Sequence, residues 1–331
     1  MRVLWRTGLL LLLISRVLLI GETAVAQEGD FEMDFESFEE VGGDEFATDD
    51  AVAKEVEPWN HQGLRVAVGA LLATLLAGVL VRYERARQWR TLLLLTSLIT
   101  LGFWLGGCPC PISSFQNTIL RGLGGEGCWY SMVWFLGLIP ITYLFGKVWC
   151  GWICHLGALQ EFLHASNRLA FLRGERAQQV MRWMRYVLFA ALLLQLFITR
   201  ENLFIHVDPF KVAFNMRSFY ATGWILLGLL LVSSLYIYRP FCRSVCPVGL
   251  VLGWVSRLPG ALRLAANDDC RSCRRCASAC QVQAIDGDIQ VKNGDCIMCG
   301  TCLDSCKWEG IGRTRGARSV EMKTELVAVE K

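Results

Sequence analysis

The chain has 331 residues, 53% hydrophobic and 19% charged, with a mean hydropathy of +0.38, which excludes both an ordinary soluble domain and a disordered chain. Its fifteen cysteines are too sparse for a small disulfide scaffold, so their spacing has to carry the chemistry. The net charge of +3 hides thirteen acidic residues and one Lys in 27–60, and the basic remainder sits in short clusters between apolar runs, a membrane-loop pattern that excludes nucleic-acid binding.

The first residues are Met1-Arg2-Val3-Leu4-Trp5-Arg6, an apolar stretch from Thr7 to Gly21, and Ala24-Val25-Ala26. A basic head, an apolar run and an A-x-A site describe an export signal, residues 1–26, cleaved after Ala26. Arg16 interrupts the run and leaves an uncleaved anchor as the alternative. Either version puts residues 27–60 outside the cytoplasm. There Phe31, Phe35, Phe38 and Phe46 are scattered among carboxylates without a sustained period. That predicts an acidic disordered exported tether, or a docking segment for a basic exported partner.

Five apolar runs follow, near 63–81, 91–107, 129–146, 186–200 and 220–238, each close to the roughly 20 residues a bilayer-crossing helix needs. They predict an all-α membrane bundle of five transmembrane helices over residues 61–258. With the N-terminus outside, the Arg-rich loops after the first, third and fifth runs all fall on the cytoplasmic side, as the positive-inside rule requires. The expectation is a multi-pass protein of the bacterial inner membrane with everything after Tyr238 in the cytoplasm.

Cys270-x2-Cys273-x2-Cys276-x3-Cys280 is followed by Cys296-x2-Cys299-x2-Cys302-x3-Cys306. The tight loop supplies three thiolate corners of a 4Fe-4S cube, and in two-cluster ferredoxins the fourth comes from the other motif. One cluster is therefore expected on Cys270, Cys273, Cys276 and Cys306, the other on Cys296, Cys299, Cys302 and Cys280. Structural zinc needs neither a third Cys at the same step nor a crossed fourth. The linker around Asp286-Gly287 alternates and predicts a hairpin that packs Ile285, Ile289 and Val291 near the cubes. Residues 259–315 thus read as an α+β two-cluster ferredoxin-like domain, followed by a tail, 316–331. Gln281 and Lys307 stand where a Pro commonly follows the fourth Cys, which touches loop geometry and not ligation.

Lys147-Val-Trp-Cys150-Gly-Trp-Ile-Cys154-His155 follows the third run, and Arg239-Pro-Phe-Cys242-Arg-Ser-Val-Cys246-Pro247 follows the fifth. An i, i+4 spacing on a helix puts both sulfurs of a pair on one face, so the two pairs are expected to converge on a shared metal, cluster or dithiol site, or else to be buried packing thiols. Paired C-x3-C motifs at membrane edges, followed by a two-cluster ferredoxin, resemble the NapH and NosR family of membrane-bound ferredoxins over roughly residues 63–310. The signal, the outside N-terminus and five spans are closer to the NosR type. The resemblance implies a redox or metal role for Cys150, Cys154, Cys242 and Cys246. Two departures stand out: His155 replaces the family's Pro, and the acidic tether stands where NosR has its exported flavin domain, so an exported carrier, if any, is expected to be another polypeptide. Covalent haem would need C-x2-C-H.

Cys108-Pro109-Cys110-Pro111 and Cys128 are expected outside, with Cys128 in a disulfide to Cys108 or Cys110, or the three in a small metal or redox site. His206 and Asp208 are expected at the outer end of the fourth span, as proton acceptors for a quinol or simply as solvated residues. The functional expectation is an iron-sulfur electron-transfer protein linking the quinone pool or a cytoplasmic donor to an exported redox protein or flavoprotein. Its rivals are a cluster-bearing assembly or regulatory factor for an exported metalloenzyme, and a membrane metal reductase.

Overall fold

A computed structural model describes residues 61–125, 128–164, 174–202, 204, 208–215 and 221–315. The export signal, the acidic segment 27–60, His206 and the tail 316–331 lie outside the described residues. The chain is mostly helical. Its apolar runs form α1 (His61–Leu80), α2 (Arg90–Ser97, prolonged by a π-helical stretch, Leu98–Trp104), α3 (Pro111–Gly122), α4 (Trp129–Phe145), α5 (His155–Leu163), α6 (Glu175–Thr199), α7 (Pro209–Asn215) and α8 (Ala221–Tyr236), then α9 (Pro240–Ser244) and α10 (Pro247–Val255).

A helix stands at each of the five predicted runs, but among the described residues only α1 and α6 are long and apolar enough to cross a bilayer core. The others are apolar and shorter: the 16 residues of α8 rise about 24 Å, against a core of about 30 Å. The second run breaks for a local reason. Gly106 and Gly107 take φ of 60° and 83°, a region glycine enters freely, and Pro109 and Pro111 follow. Helix α3 then restarts with Pro111 at its first turn and packs along α4, with Phe115 and Phe135 ring centroids 5.5 Å apart.

Helix α1 packs small residues inward and turns large apolar ones outward. Ala67, Ala70, Thr74 and Ala77 are buried on one face of α1, while Leu72 and Leu76 on the other are 61% and 57% exposed. A Cβ at Gly78 would lie 2.7 Å from the Phe145 ring, and one at Gly137 2.7 Å from Leu71. Such close backbone approach is how helices associate where hydrophobic burial gives no drive, as among lipid tails. Helix α6 also turns large apolar residues outward, Val187, Leu194 and Ile198, but buries large ones, Met181, Phe189 and Leu196.

The C-terminal part is closed by a two-stranded antiparallel sheet, β1 (Arg263–Ala266) with β2 (Ile311–Thr314), in the register Arg263↔Thr314 to Ala266↔Ile311. Between them the repeated sequence folds twice in the same way. Ser272, Arg274 and Gln283 have positive φ, and so do Met298, Gly300 and Glu309 at the same offsets from the first Cys of each motif. Five of these six are not glycine and carry a cost of about 1–3 kcal/mol each, which a loop tolerates when its surroundings over-determine it. Short helices α11 (Arg275–Ala279) and α12 (Thr301–Ser305) occupy matching positions. The linker makes the hairpin contact, an antiparallel bridge between Ile285 and Val291.

Candidate functional site

Winding through these left-handed positions gathers the thiols of each C-x2-C-x2-C loop, with Cys276 and Cys302 buried and Cys273 exposed. Cys270, Cys273, Cys276 and Cys306 line one pocket, walled by Ile289, Trp308 and Ile311. In the other half, burial pushes the Cys302 thiol up, and the neighbouring Cys296, Cys299, Cys280 and Cys276 push it further. The first grouping is three thiols of one motif with the last thiol of the other. Buried thiols facing one another resist ionisation unless a cation compensates them, which suits an all-sulfur donor set for iron-sulfur cubes. Backbone N–H groups also aim at the sulfurs: Ala284 donates to Cys280 Sγ at 3.3 Å and Met298 to Cys296 Sγ at 3.4 Å.

The membrane-edge pairs are built differently from the expected i, i+4 helical face. Cys150 sits in a π-helical turn, Trp149–Ile153, and the chain leaves it at Cys154 to begin α5. Cys242 sits in α9, and Cys246 caps α10. No single helix holds both sulfurs of a pair, because each second Cys is a helix cap with extended backbone. The cap is shared chemistry: the N–H of Gly249 donates to Cys246 Sγ at 3.3 Å, and that of Gly157 to Cys154 Sγ. Cys150, Cys154, Cys242 and Cys246 nevertheless converge, lining one cavity of about 240 Å³.

Its walls are charged. Lys147 and Arg239 are buried, each three residues before the first Cys of its motif. Lys147 Nζ donates to the Gly294 carbonyl and Arg239 Nη1 to the Cys150 carbonyl. Arg239 and Arg90 both clamp Glu161: Arg90 donates through Nη1 and Nη2 at 2.8 Å each, and Arg239 through Nε at 3.1 Å. Burial would raise the Glu161 carboxyl, but Arg239 and Arg90 overcome it and hold it at about 2. Burial pushes the Cys242 thiol up to about 11, against the pull of Arg239. The sequence reading missed Lys147, Arg239 and Glu161; the basic residue repeated three positions before each first Cys was the available signal.

The same cavity is walled by the ferredoxin part. Val282, Ile285, Asp295 and Ile297 line it, and Asp295 accepts from Arg185 at 2.8 Å. Trp152 Nε1 donates to the Met298 carbonyl at 3.1 Å, within the Cys296–Cys302 loop.

The regions expected outside are not remote from these pairs. Pro111 lines the same cavity as Cys150, and ring centroids lie 4.8 Å apart for Phe210 of α7 and Phe241 and 5.4 Å apart for Phe214 and His155. The broken second run and the inward turn of α7 bring Cys110 and Asp208 into the protein. Asp208 is 3% exposed, not a solvated loop residue; its Oδ1 accepts from the Phe210 N–H at 2.9 Å, and Cys110 Sγ lies 3.7 Å from Oδ2. Burial raises the Asp208 carboxyl and pushes the Cys110 thiol up to about 12. The expected Cys128 disulfide is not formed; Cys108, Cys110 and Cys128 are free thiols.

Residues 129–173 and 220–264 each match the family model of a 4Fe-4S binding domain. Each stretch holds one C-x3-C pair, and neither reaches the eight cysteines of 270–306. Protein NirI of Paracoccus denitrificans is 32% identical over 71% of this chain and 38% of its own length. Regulatory protein NosR of Pseudomonas aeruginosa is 28% identical over 71% and 36%, and ferredoxin-type protein NapH of Haemophilus influenzae 29% identical over 40% and 47%. The chain thus spans less than half the length of each of these three relatives. No solved structure matches it.

Proposed function

Because the chain belongs to the NapH/NosR-type family of membrane-bound ferredoxins, we propose that it is an iron-sulfur electron-transfer protein of the inner membrane, linking the quinone pool or a cytoplasmic donor to an exported redox partner. Cys270, Cys273, Cys276 and Cys306 hold one 4Fe-4S cluster, and Cys296, Cys299, Cys302 and Cys280 the other. When bound, such cubes supply one-electron steps and no bond chemistry. The residues around them do the rest: the N–H donors on Cys280 and Cys296 stabilise thiolate charge, and the buried Ile289 and Ile311 wall the Cys270–Cys306 pocket on its protein side.

The observation that carries this reading is the seating of the Cys296–Cys302 loop on the membrane-edge cavity, through Ile297 and the Trp152 to Met298 hydrogen bond. A ferredoxin loop packed onto the C-x3-C segments suits a relay between the cytoplasm and the membrane. Five membrane crossings with an acidic N-terminus outside complete the proposal, supported by the apolar outer faces of α1 and α6.

The test is to mix anaerobically purified, dithionite-reduced protein with a quinone and to time cluster reoxidation against a soluble two-cluster ferredoxin. Reoxidation well above the control places quinone chemistry on this chain; reoxidation at the control rate moves it to a partner. A second reading, a cluster-bearing regulatory factor, draws on the similarity to the regulatory protein NosR. Binding of an exported client that survives loss of the clusters favours it.

A further inference from the structure

The two ferredoxin loops share a backbone path but not a surface. After its first Cys, the second loop carries Ile297 and Met298, both buried, and Gly300 at the fourth step. This is the loop seated on the membrane-edge cavity, and a Cβ at Gly300 would lie 2.6 Å from the Arg87 side chain. The first loop has Arg271, Arg274 and Arg275 at the first, fourth and fifth steps instead. Residues 271–275 are all exposed, Cys273 among them.

The fold does not require arginine at these positions. Arg274 holds φ at 58°, where the matching residue of the other loop is Gly300, and that conformation favours glycine. Among the described residues neither Arg274 nor Arg275 takes part in a salt bridge. Arg271 lies over the Trp308 ring at 3.7 Å and Lys307 at 5.4 Å, so two more cations stand beside the same pocket. Trp308 itself is 41% exposed.

The pocket that gathers Cys270, Cys273, Cys276 and Cys306 is therefore open to solvent at a basic rim. Arg271, Arg274 and Arg275 line it, and no carboxylate does. The exposed carboxylates nearest in sequence, Asp268, Asp269 and Glu309, are not among its lining residues. Water around exposed guanidinium groups weakens their hold on a cluster behind them. The same groups remain effective at steering an oppositely charged molecule toward the pocket from a distance. Arginine with an exposed tryptophan is also a composition that protein interfaces favour.

We propose that Arg271, Arg274, Arg275 and Lys307 form the docking surface for a soluble, acidic one-electron carrier protein, seated over the exposed Cys273 edge of the pocket. The proposal rests on the reading of the chain as an iron-sulfur relay and names the partner on its ferredoxin side. One electron leaves the carrier as one enters the cluster, or the reverse, with no bond made or broken. The two loops then divide the work: the basic, exposed one meets the soluble partner, and the apolar, buried one meets the membrane-edge segments.

Full-length protein, purified anaerobically in detergent with its clusters oxidised, is titrated with an acidic flavodoxin, and binding is read by surface plasmon resonance. Affinity should fall at least about tenfold between about 20 and about 200 mM salt, and a basic cytochrome c should not bind. The Arg274→Glu/Arg275→Glu variant should bind at least about tenfold more weakly at low salt, mainly through a slower on-rate. Arg274→Lys/Arg275→Lys, and Arg176→Glu on α6, should bind like the wild type. Affinity that ignores both salt and the double charge reversal overturns the proposal, as does equal binding of the cytochrome. Should the double reversal lose iron, Lys307→Glu and the salt dependence of the wild type decide. Salt-dependent binding without cluster reduction by the reduced flavodoxin keeps the surface and removes the relay role. Cluster reduction at a rate indifferent to salt and to charge reversal keeps the relay and overturns the surface.

Discussion

Gly151 and Ile297 meet backbone to backbone, the first beside Cys150 at the membrane edge and the second beside Cys296 in the ferredoxin loop. A Cβ at position 151 would fall inside the contact distance of the Ile297 carbonyl oxygen, and the Cys299 N–H lies 3.5 Å from the same point. Only the absence of a side chain lets the two cysteine-bearing loops touch.

Gly151→Val should therefore force the loops apart. Overpacking of this kind costs about 1–3 kcal/mol. The expected outcome is a lower thermal midpoint in detergent and cluster-to-acceptor electron transfer slowed at least about tenfold, with ferredoxin iron retained; a tenfold change corresponds to about 1.4 kcal/mol in the barrier. Stopped-flow absorbance and iron analysis on one sample check both.

Crossed ligation has a signature of its own. Cys306→Ser and Cys276→Ser should abolish the same EPR signal, although the two residues lie in different motifs, and Cys280→Ser should abolish the other. Each variant should lose about four iron. Loss by Cys306→Ser of the signal lost by Cys302→Ser would show that each motif keeps its own fourth thiol.

Glu161 ties Arg90 of α2 to Arg239 at the head of the second C-x3-C motif. Removing one member of such a buried network leaves the others unpaired and costs about 3–5 kcal/mol. Glu161→Gln should lower the denaturation midpoint accordingly, and by more than an exposed change such as Glu84→Gln. The pH dependence follows from the depressed carboxyl. The folded value, about 2, lies below the ordinary 4.5, so the stabilisation is complete above 4.5 and is lost as pH falls from there toward 2. In the Glu161→Gln variant that acid-side loss should be smaller.

Asp208 offers the opposite sign. Burial raises its carboxyl above the ordinary 3.8, so its protonated form is favoured in the fold and stability falls as pH rises from 3.8 through the folded value. Asp208→Asn keeps the acceptor for the Phe210 N–H without a buried charge and should equal or exceed wild type at neutral pH. Asp208→Ala loses the cap and should cost about 0.5–2 kcal/mol. Thermal melts from pH 4 to about 8, near the ends of the window in which carboxylate charge matters, separate the three proteins.

Much of the ferredoxin part was legible in the sequence because its chemistry is local. Three cysteines at steps of three enclose a small loop, and the same spacing twice predicts the same loop twice, down to matching left-handed residues such as Ser272 and Met298. The hairpin at Ile285 and Val291 was readable from alternation and a turn dipeptide. Apolar periodicity likewise marked where helices form, since burial or lipid contact acts on every residue of a run. It overestimated their length in α2, where a glycine pair and two prolines break the helix near Cys108.

The sequence by itself determined the donor atoms, the two-fold repeat of both cysteine patterns, and the apolar character of the helices. Tertiary structure alone decided that Cys150 and Cys154 share a cavity with Cys242 and Cys246, that Lys147, Arg239 and Glu161 surround it, and that Asp208 is buried. The reason is physical. Ligand spacing and hydropathy act within one segment, whereas a cavity between segments far apart in the chain depends on close approach at positions such as Gly151, against the Ile297 backbone, and Gly157, against the Arg239 guanidinium, which no local pattern encodes.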